Sequence, residues 1–265
     1  MPDTNWTQVN LTFPSNSARE RELQGVAHLS RVLPDAEANG LITAWFFTRK
    51  GHWRIRYLST PGDSTGQSIH HLLTQGVKAT SDIYEPETHA FGGTASMAFA
   101  HQLFYADSRH LLTYLSGNAH NRRELSIVLC TAYMRAAGLE FGEQGDVWAR
   151  VADQRAPLRT DRPPASTWAT FTGDVRELLL GNLRTDDLTT TWIQAFQHAG
   201  EQLRHLREQG RLTRGIRAVT AEHVIFHWNR IGIMGTTQAL LARAATDAVF
   251  GERPRVGTFS GSRAR

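Results

Sequence analysis

The stretch from Thr43 to Leu58, TAWFFTRKGHWRIRYL, decides the fold. Two runs rich in β-branched and aromatic residues, Thr43–Phe47 and Trp53–Leu58, flank Arg49-Lys50-Gly51-His52, a glycine-bearing turn of hairpin length. Side chains alternate between the two faces of a strand. In the second run Trp53, Ile55 and Tyr57 therefore share one face, and Arg54 and Arg56 share the other. The apolar face belongs on a core. The arginine face admits two readings: solvated, as one face of many antiparallel sheets is, or the floor of an anion-binding cleft. On these residues alone the solvated reading is the expected one.

Outward from the hairpin, Trp6–Phe13 (WTQVNLTF) alternates in the same way and predicts another strand. A helix is expected from Ser17 to Val32, stopping ahead of Pro34. Ser64–Gly76 reads as a helix, and IYEPE (83–87) as a short extended segment. Met97, Phe104, Leu111, Leu112 and Leu115 recur at helical spacing through Thr94–Leu115. Asn121–Leu139 predicts the next helix, opened by an Asn121/Glu124 capping box and closing near Gly138. Residues 154–166 (QRAPLRTDRPPAS) have the composition of a linker. Trp192, Phe196, Ala199, Leu203 and Leu206 form one stripe of a further helix. Thr220 is placed to cap a helix through AEHVIFHWNRIGIM, Gln238–Phe250 supplies the last one, and 252–265 reads as a flexible tail. Strands cluster early and helices late. The expected class is α+β, with an antiparallel sheet from the N-terminal strands packed with helices, a helical C-terminal half, and a single domain over 1–265.

Composition excludes several classes. The 265 residues are 40% hydrophobic and 20% charged, a globular balance. One cysteine leaves no internal disulfide and no thiolate metal cluster. The start MPDTNWTQVNLTF lacks a signal-peptide pattern, and no window reaches the ~20 apolar residues of a membrane span, so a cytoplasmic protein is expected. Net charge is +4 with a pI near 9.6, mostly from arginine. No basic run with interleaved aromatics matches a nucleic-acid module. The phosphate loop, the dinucleotide fingerprint, HExxH and the GxSxG elbow are all missing. Neither a cofactor nor a metal is expected.

What remains is an ordered set: WFFTRKGHWRIRY (45–57), IYEPETHAFGG (83–93), LFYADS (103–108) and HVIFHWNR (223–230). Each piece has a plain explanation. Glu85 and Glu87 fit an edge strand's surface, Asp107-Ser108 a helix junction, His227 a hydrogen-bonded core histidine, and Asn229-Arg230 an interhelical tie. Taken in order, the set resembles the C-terminal elimination domain of class I lanthipeptide dehydratases and its stand-alone relatives in thiopeptide biosynthesis. The resemblance runs from Trp6 to about Gly251. Its elements are the WFF-x-R and R-x-R strands, YE-x-E before GG, F-x-x-DS, and a late H-x-NR.

In that family some members eliminate glutamate from glutamylated Ser/Thr, leaving dehydroalanine or dehydrobutyrine. Others are pyridine synthases. These join two dehydroalanines of a linear azole-bearing peptide in a formal [4+2] aza-cycloaddition, then expel water and the leader peptide. The eliminating members carry an arginine shortly before the aromatic–Gly–Gly. Here Ala90 stands in that place, and alanine cannot hold a glutamyl carboxylate in the bidentate manner of arginine. No stretch matches the glutamylation part of the full dehydratases, a second departure. The resemblance therefore implies a pyridine synthase that works without a cofactor. It leaves glutamate elimination and non-catalytic binding of a precursor peptide as alternatives.

It further implies roles. His227 and His223 would act as general acid/base groups, with Tyr84 and Glu87 as proton-transfer or hydrogen-bonding groups. Arg54, Arg56, Trp45, Trp53, Phe91, Trp228 and Glu85 would bind substrate. Asp107, Ser108, Asn229 and Arg230 would be scaffold. The implied partner is a precursor peptide, leader plus dehydrated azole-containing core, with contact to other biosynthetic enzymes possible and none with nucleic acid or membrane. A basic chain suits an acidic leader.

Overall fold

A computed structural model describes residues 6–60, 67–117, 119–181 and 187–251. The tail expected over 252–265 and the start of the helix expected at Ser64 lie outside the described residues. Four strands, β1 (Thr7–Thr12), β2 (Ile42–Lys50), β3 (His52–Ser59) and β4 (Lys78–Ile83), form one antiparallel sheet in the order β2-β3-β1-β4. Helices α1 (Ala18–Ala38) and α2 (Gln67–Thr74) are interleaved with the strands. Then α3 (Thr94–Ser116), α4 (Arg122–Ala136), α5 (Phe141–Gln154), α6 (Ala165–Leu180), α7 (Asp187–Glu208), α8 (Ile216–Ile231) and α9 (Gly235–Phe250) follow in sequence. This is the α+β arrangement the early strands and late helices imply.

One face of the sheet is buried, and its arginine face is covered in part: Phe46 and Arg56 are buried, Arg54 is half-buried, and Thr80 and Asp82 of β4 are exposed. One face carries Val9, Leu11, Trp45, Phe47, Trp53, Ile55 and Tyr57 into the main core, which continues through Leu29 and Leu33 of α1. Gly25 lets α1 approach this face, because a Cβ there would lie 2.6 Å from the Trp53 ring. The other face holds a smaller cluster of Phe46 with Phe91, Met97, Ala100 and Phe104. Arg56, also on that face, is buried too.

Several boundaries differ from the sequence expectations. Helix α1 continues through Pro34 to Ala38, because Leu33 and Ala36 beyond the expected stop still pack into the core. Asn121 does not cap α4: it sits in the left-handed region at φ 58° and its side chain makes no capping bond. A capping-box contact occurs instead in α5, where the Glu143 carboxylate accepts from the Glu140 N–H at 3.1 Å. Thr220 lies inside α8 and is buried, since that helix starts four residues earlier at Ile216. The segment 154–166 contains a short 3₁₀ turn, Ala156–Leu158, and Arg155 Nε donates to Gln238 Oε1 at 2.7 Å. The helices on either side of it, α5 and α6, both pack on α9.

Candidate functional site

Cross-strand register assembles the polar face of the sheet in rows. Phe46, Arg56, Gln8 and Asp82 stand opposite one another across the four strands, and Thr48, Arg54, Asn10 and Thr80 form the next row. Neighbours in a row interact directly. Arg56 Nε donates to Gln8 Oε1 at 2.7 Å, and Gln8 Nε2 donates to Asp82 Oδ2 at 2.7 Å. The Asn10 amide and the Ile83 N–H hold the exposed Asp82 carboxyl below the usual range. Arg56 lies over the Tyr84 ring at 4.5 Å and the Phe46 ring at 5.3 Å, and burial lowers its pKa to about 10. It stays charged at neutral pH. Arg54 is half-buried, and its Nε has no partner among the described residues.

The loop after β4 forms one wall. Its turns close through backbone bonds, Phe91 N–H to Glu87 O at 3.0 Å and Gly93 N–H to Thr88 O at 2.9 Å. Gly92 and Gly93 have φ of +81° and +109°, a region other residues enter at a cost. A Cβ on Gly92 would also lie 2.9 Å from Val219 of α8. The glycine pair thus lets the loop lie against α8 and bring Tyr84 over the sheet.

Tyr84 meets His101 of α3, a residue the sequence did not single out. The phenol oxygen and His101 Nε2 are 2.8 Å apart. Trp6, Phe46 and Phe104 surround the imidazole, with ring centres 4.8, 5.7 and 6.1 Å away. Burial, reinforced by Arg56, lowers the His101 pKa to about 4, and burial raises that of Tyr84. Both groups are therefore neutral at pH 7. A neutral phenol and imidazole can share their hydrogen bond in either direction, according to the tautomer. At the mouth, burial of its surroundings and the Glu222 carboxylate raise the pKa of Glu87. Glu85 is exposed on the same loop.

Beneath the aromatic layer lies a buried ionic node. Asp107 accepts from Arg230 Nε at 2.6 Å, Trp192 Nε1 at 2.9 Å and His227 Nδ1 at 3.0 Å. Burial alone would raise the Asp107 pKa, but the charges and hydrogen bonds of His227 and Arg230 bring it down to about 2. Asp107, His227 and Arg230 are all 0% exposed. The Arg230 guanidinium lies 4.4 Å from the centre of the Phe104 ring. Ser108 Oγ accepts the Phe47 N–H at 3.3 Å, tying α3 to β2, and Asn229 Oδ1 accepts from Gln238 at 3.2 Å.

The structure thus brings together Arg54, Arg56, Tyr84 and Glu87, with Glu85 at the rim. It does not bring His223, His227, Trp45, Trp53 or Trp228 to this face. His227 is enclosed with Asp107. His223 lies behind Phe91 and beside Tyr133, and burial lowers its pKa to about 3. Phe91 is itself fully buried and serves as the wall between them. Trp53 and Trp45 project to the opposite face of the sheet. Trp228 stacks on Trp148 and donates to Ser126. Ala90 is half-buried, and Arg214, from the connection before α8, donates to its carbonyl at 2.7 Å while also binding Glu222 at 3.0 Å. Among the described residues no group of three or more His, Cys, Asp or Glu could hold a metal ion, and no helix is long and apolar enough to cross a membrane.

Comparison with known proteins bears on the fold and the family. Residues 6–249 match the family described as lantibiotic biosynthesis dehydratase C-term. No curated protein matches the chain in sequence. Among solved structures the fold is similar to the tRNA-dependent lantibiotic dehydratase MibB from Microbispora sp. 107891 (TM-score 0.61, 18% identity). That match covers 94% of this chain but 28% of MibB, so this chain spans under a third of that dehydratase. It is similar as well to TsrL (TM-score 0.58, 16% identity, 94% of this chain and 99% of that one). A third similar structure is TbtD, a pyridine synthase from thiomuracin biosynthesis (TM-score 0.62, 14% identity, 92% of this chain and 97% of that one).

Proposed function

Because this chain belongs to the lantibiotic dehydratase C-terminal family, we propose that it is a thiopeptide pyridine synthase acting at the polar face of the sheet. The substrate is a linear, azole-bearing precursor peptide carrying two dehydroalanines. The reaction is a formal [4+2] aza-cycloaddition, followed by loss of water and of the leader peptide.

The observation that carries this reading is the neutral Tyr84–His101 pair set among aromatic rings. Before cycloaddition, an amide next to one dehydroalanine must become its iminol: a proton leaves nitrogen and another arrives at oxygen. A hydrogen bond that runs in either direction serves both halves, and neither partner ends charged. Placed proton-transfer groups of this kind typically contribute ~10²–10⁴-fold. Holding the two alkenes in alignment is the larger demand, for which orientation supplies up to ~7–11 kcal/mol. The Arg54 and Arg56 guanidiniums are suited to fix peptide carbonyls, and the partly exposed Trp6 and Tyr84 to pack against rings. The enclosed His227, with Asp107, shapes the layer beneath and takes no direct part in proton transfer.

A second reading, glutamate elimination, is favoured by the unpartnered Arg54 Nε beside the Arg56 charge, which would suit a glutamyl carboxylate. Ala90, in the place of the eliminating members' arginine, argues against it. Incubation with a dehydrated azole peptide and, separately, with a glutamylated one tests both. A product lacking leader and one water supports the synthase, and loss of glutamate alone supports elimination.

A further inference from the structure

On the polar face, a chain of side chains runs from the rim of the sheet to one arginine at its centre. Oδ2 of the exposed Asp82 accepts from Gln8 Nε2 at 2.7 Å and from Asn10 Nδ2 at 3.1 Å. Gln8 Nε2 also donates to Asn10 Oδ1 at 3.1 Å. Both hydrogens of the Gln8 amide are therefore spent, and its oxygen is turned to Arg56. Arg56 Nε donates to that oxygen at 2.7 Å. With Gln8 only 3% exposed and Arg56 8%, this bond is shielded from competing water. Arg56 Nη1 is turned to Thr48 Oγ1, at 3.4 Å. The rings of Tyr84 and Phe46, 4.5 and 5.3 Å away, hold the guanidinium plane.

Arginine grips a carboxylate with two parallel N–H···O bonds, from Nε with Nη2 on its side or from both Nη at its end. Gln8 occupies the side-on fork, and Thr48 engages one arm of the end-on fork. The donor left over, at Nη2, suits a single neutral acceptor such as a peptide carbonyl. We infer that Gln8, held by Asp82, is a specificity-determining residue: it denies Arg56 the side-on fork and turns the site towards peptide carbonyls and away from a glutamyl carboxylate. This role rests on the synthase reading, in which the precursor peptide binds at the polar face, and it names what separates the two candidate substrates there.

Two unreactive peptides test it by calorimetry. One is a precursor analogue with alanines in place of both dehydroalanines. The other carries glutamate at one of those positions through an amide, which keeps the carboxylate and resists elimination. Gln8→Met, close in shape but without the acceptor, frees Nε. It should bind the first peptide about 3-fold more weakly and the glutamyl peptide about 10-fold more tightly, the gain of a second charge-assisted hydrogen bond. A glutaminyl version of the second peptide, lacking the carboxylate, should show no gain. Asp82→Ala, at an exposed position, should fold normally and move both affinities in the same directions by less, because it only loosens the Gln8 amide. Neither gain should survive in an Arg56→Lys background, which lacks the fork; a gain from altered surface charge would survive there. Equal weakening of both peptides by Gln8→Met, or an unmoved preference in both variants, overturns the role even if wild type forms pyridine. A moved preference with no pyridine product keeps the role and counts against the synthase reading alone. A wild type that binds neither peptide overturns both.

Discussion

Replacing Asp107 by asparagine should unfold the protein far more readily than an isosteric change suggests. The carboxylate is fully buried and accepts from three donors: Arg230 Nε on one oxygen, Trp192 Nε1 on the other, and His227 Nδ1 between them. An asparagine keeps one oxygen and presents an NH₂ where the second stood. Whichever way the amide turns, a donor then faces a donor. The Arg230 charge, also fully buried, loses its counter-ion. Breaking a buried pair in this way costs ~3–5 kcal/mol. For a chain of this size each kcal/mol moves Tm by roughly 2–4 °C, so a fall of roughly 6–20 °C is expected in a thermal melt followed by circular dichroism. Acid should reproduce part of the effect. The Asp107 pKa falls from an ordinary 3.8 to about 2 on folding. Its contribution, ~2–3 kcal/mol, is therefore present above pH 4 and lost as pH falls from 4 towards 2. Asp107→Asn should lack that component of the acid transition. Replacing both Asp107 and Arg230 by apolar residues of similar size should recover much of the loss, because the cost lies in the stranded charge. If Asp107→Asn melts within about 1 kcal/mol of wild type, the ionic node does not hold the layer under the site.

Other outcomes follow from the same geometry. Tyr84→Phe removes the hydroxyl but keeps the ring under Arg56, so pyridine formation should slow by ~10²-fold with peptide affinity nearly unchanged. Rate assays by mass spectrometry, with affinity measured by calorimetry, check this, and a wild-type rate removes Tyr84 from the chemistry. Because the His101 pKa is lowered to about 4, protonation of this residue should leave kcat/KM undisturbed at pH 6.5. An acid limb centred there that vanishes in His101→Gln would contradict the buried, neutral imidazole. Gly25→Ala should destabilise by ~1–3 kcal/mol in urea melts despite alanine's better helix propensity, because the methyl meets the Trp53 ring at 2.6 Å. Unchanged stability would mean that α1 does not lie so close to the sheet.

The fold was legible where burial imposes a period. All five residues of the Trp192–Leu206 stripe are buried, and the hairpin's Trp53, Ile55 and Tyr57 reach the core as their alternation requires. Helices α5 and α6 went unread. The linker-like 154–166 segment separates them, and glycines and charges dilute α5's apolar face, in which Val147, Trp148 and Val151 are nevertheless buried. Pro34 signals a stop from local sterics, but packing of the turn beyond it outweighs that signal. The site was legible in part. That Tyr84, Glu87, Arg54 and Arg56 gather on one face follows from strand alternation and the glycine pair. His101 could not be read, since nothing near it on α3 marks it, and only the pairing of β4 with β1 carries Tyr84 to it. The burial of His223 and His227 was not legible, because a histidine in a polar motif looks the same whether it faces a cleft or a buried carboxylate. The placement of Trp45 and Trp53 was hidden for a related reason: an aromatic run on a strand sends alternate rings to opposite faces.

The most direct test of the account is the conformation of a bound precursor analogue whose two dehydroalanines are replaced by unreactive alanines. In a solved complex, the two alanine β-carbons should meet at about van der Waals distance over the Tyr84–His101 pair, with the intervening peptide looped away from the sheet. A guest lying straight along the surface, its two alanines apart and neither near Tyr84, would contradict it.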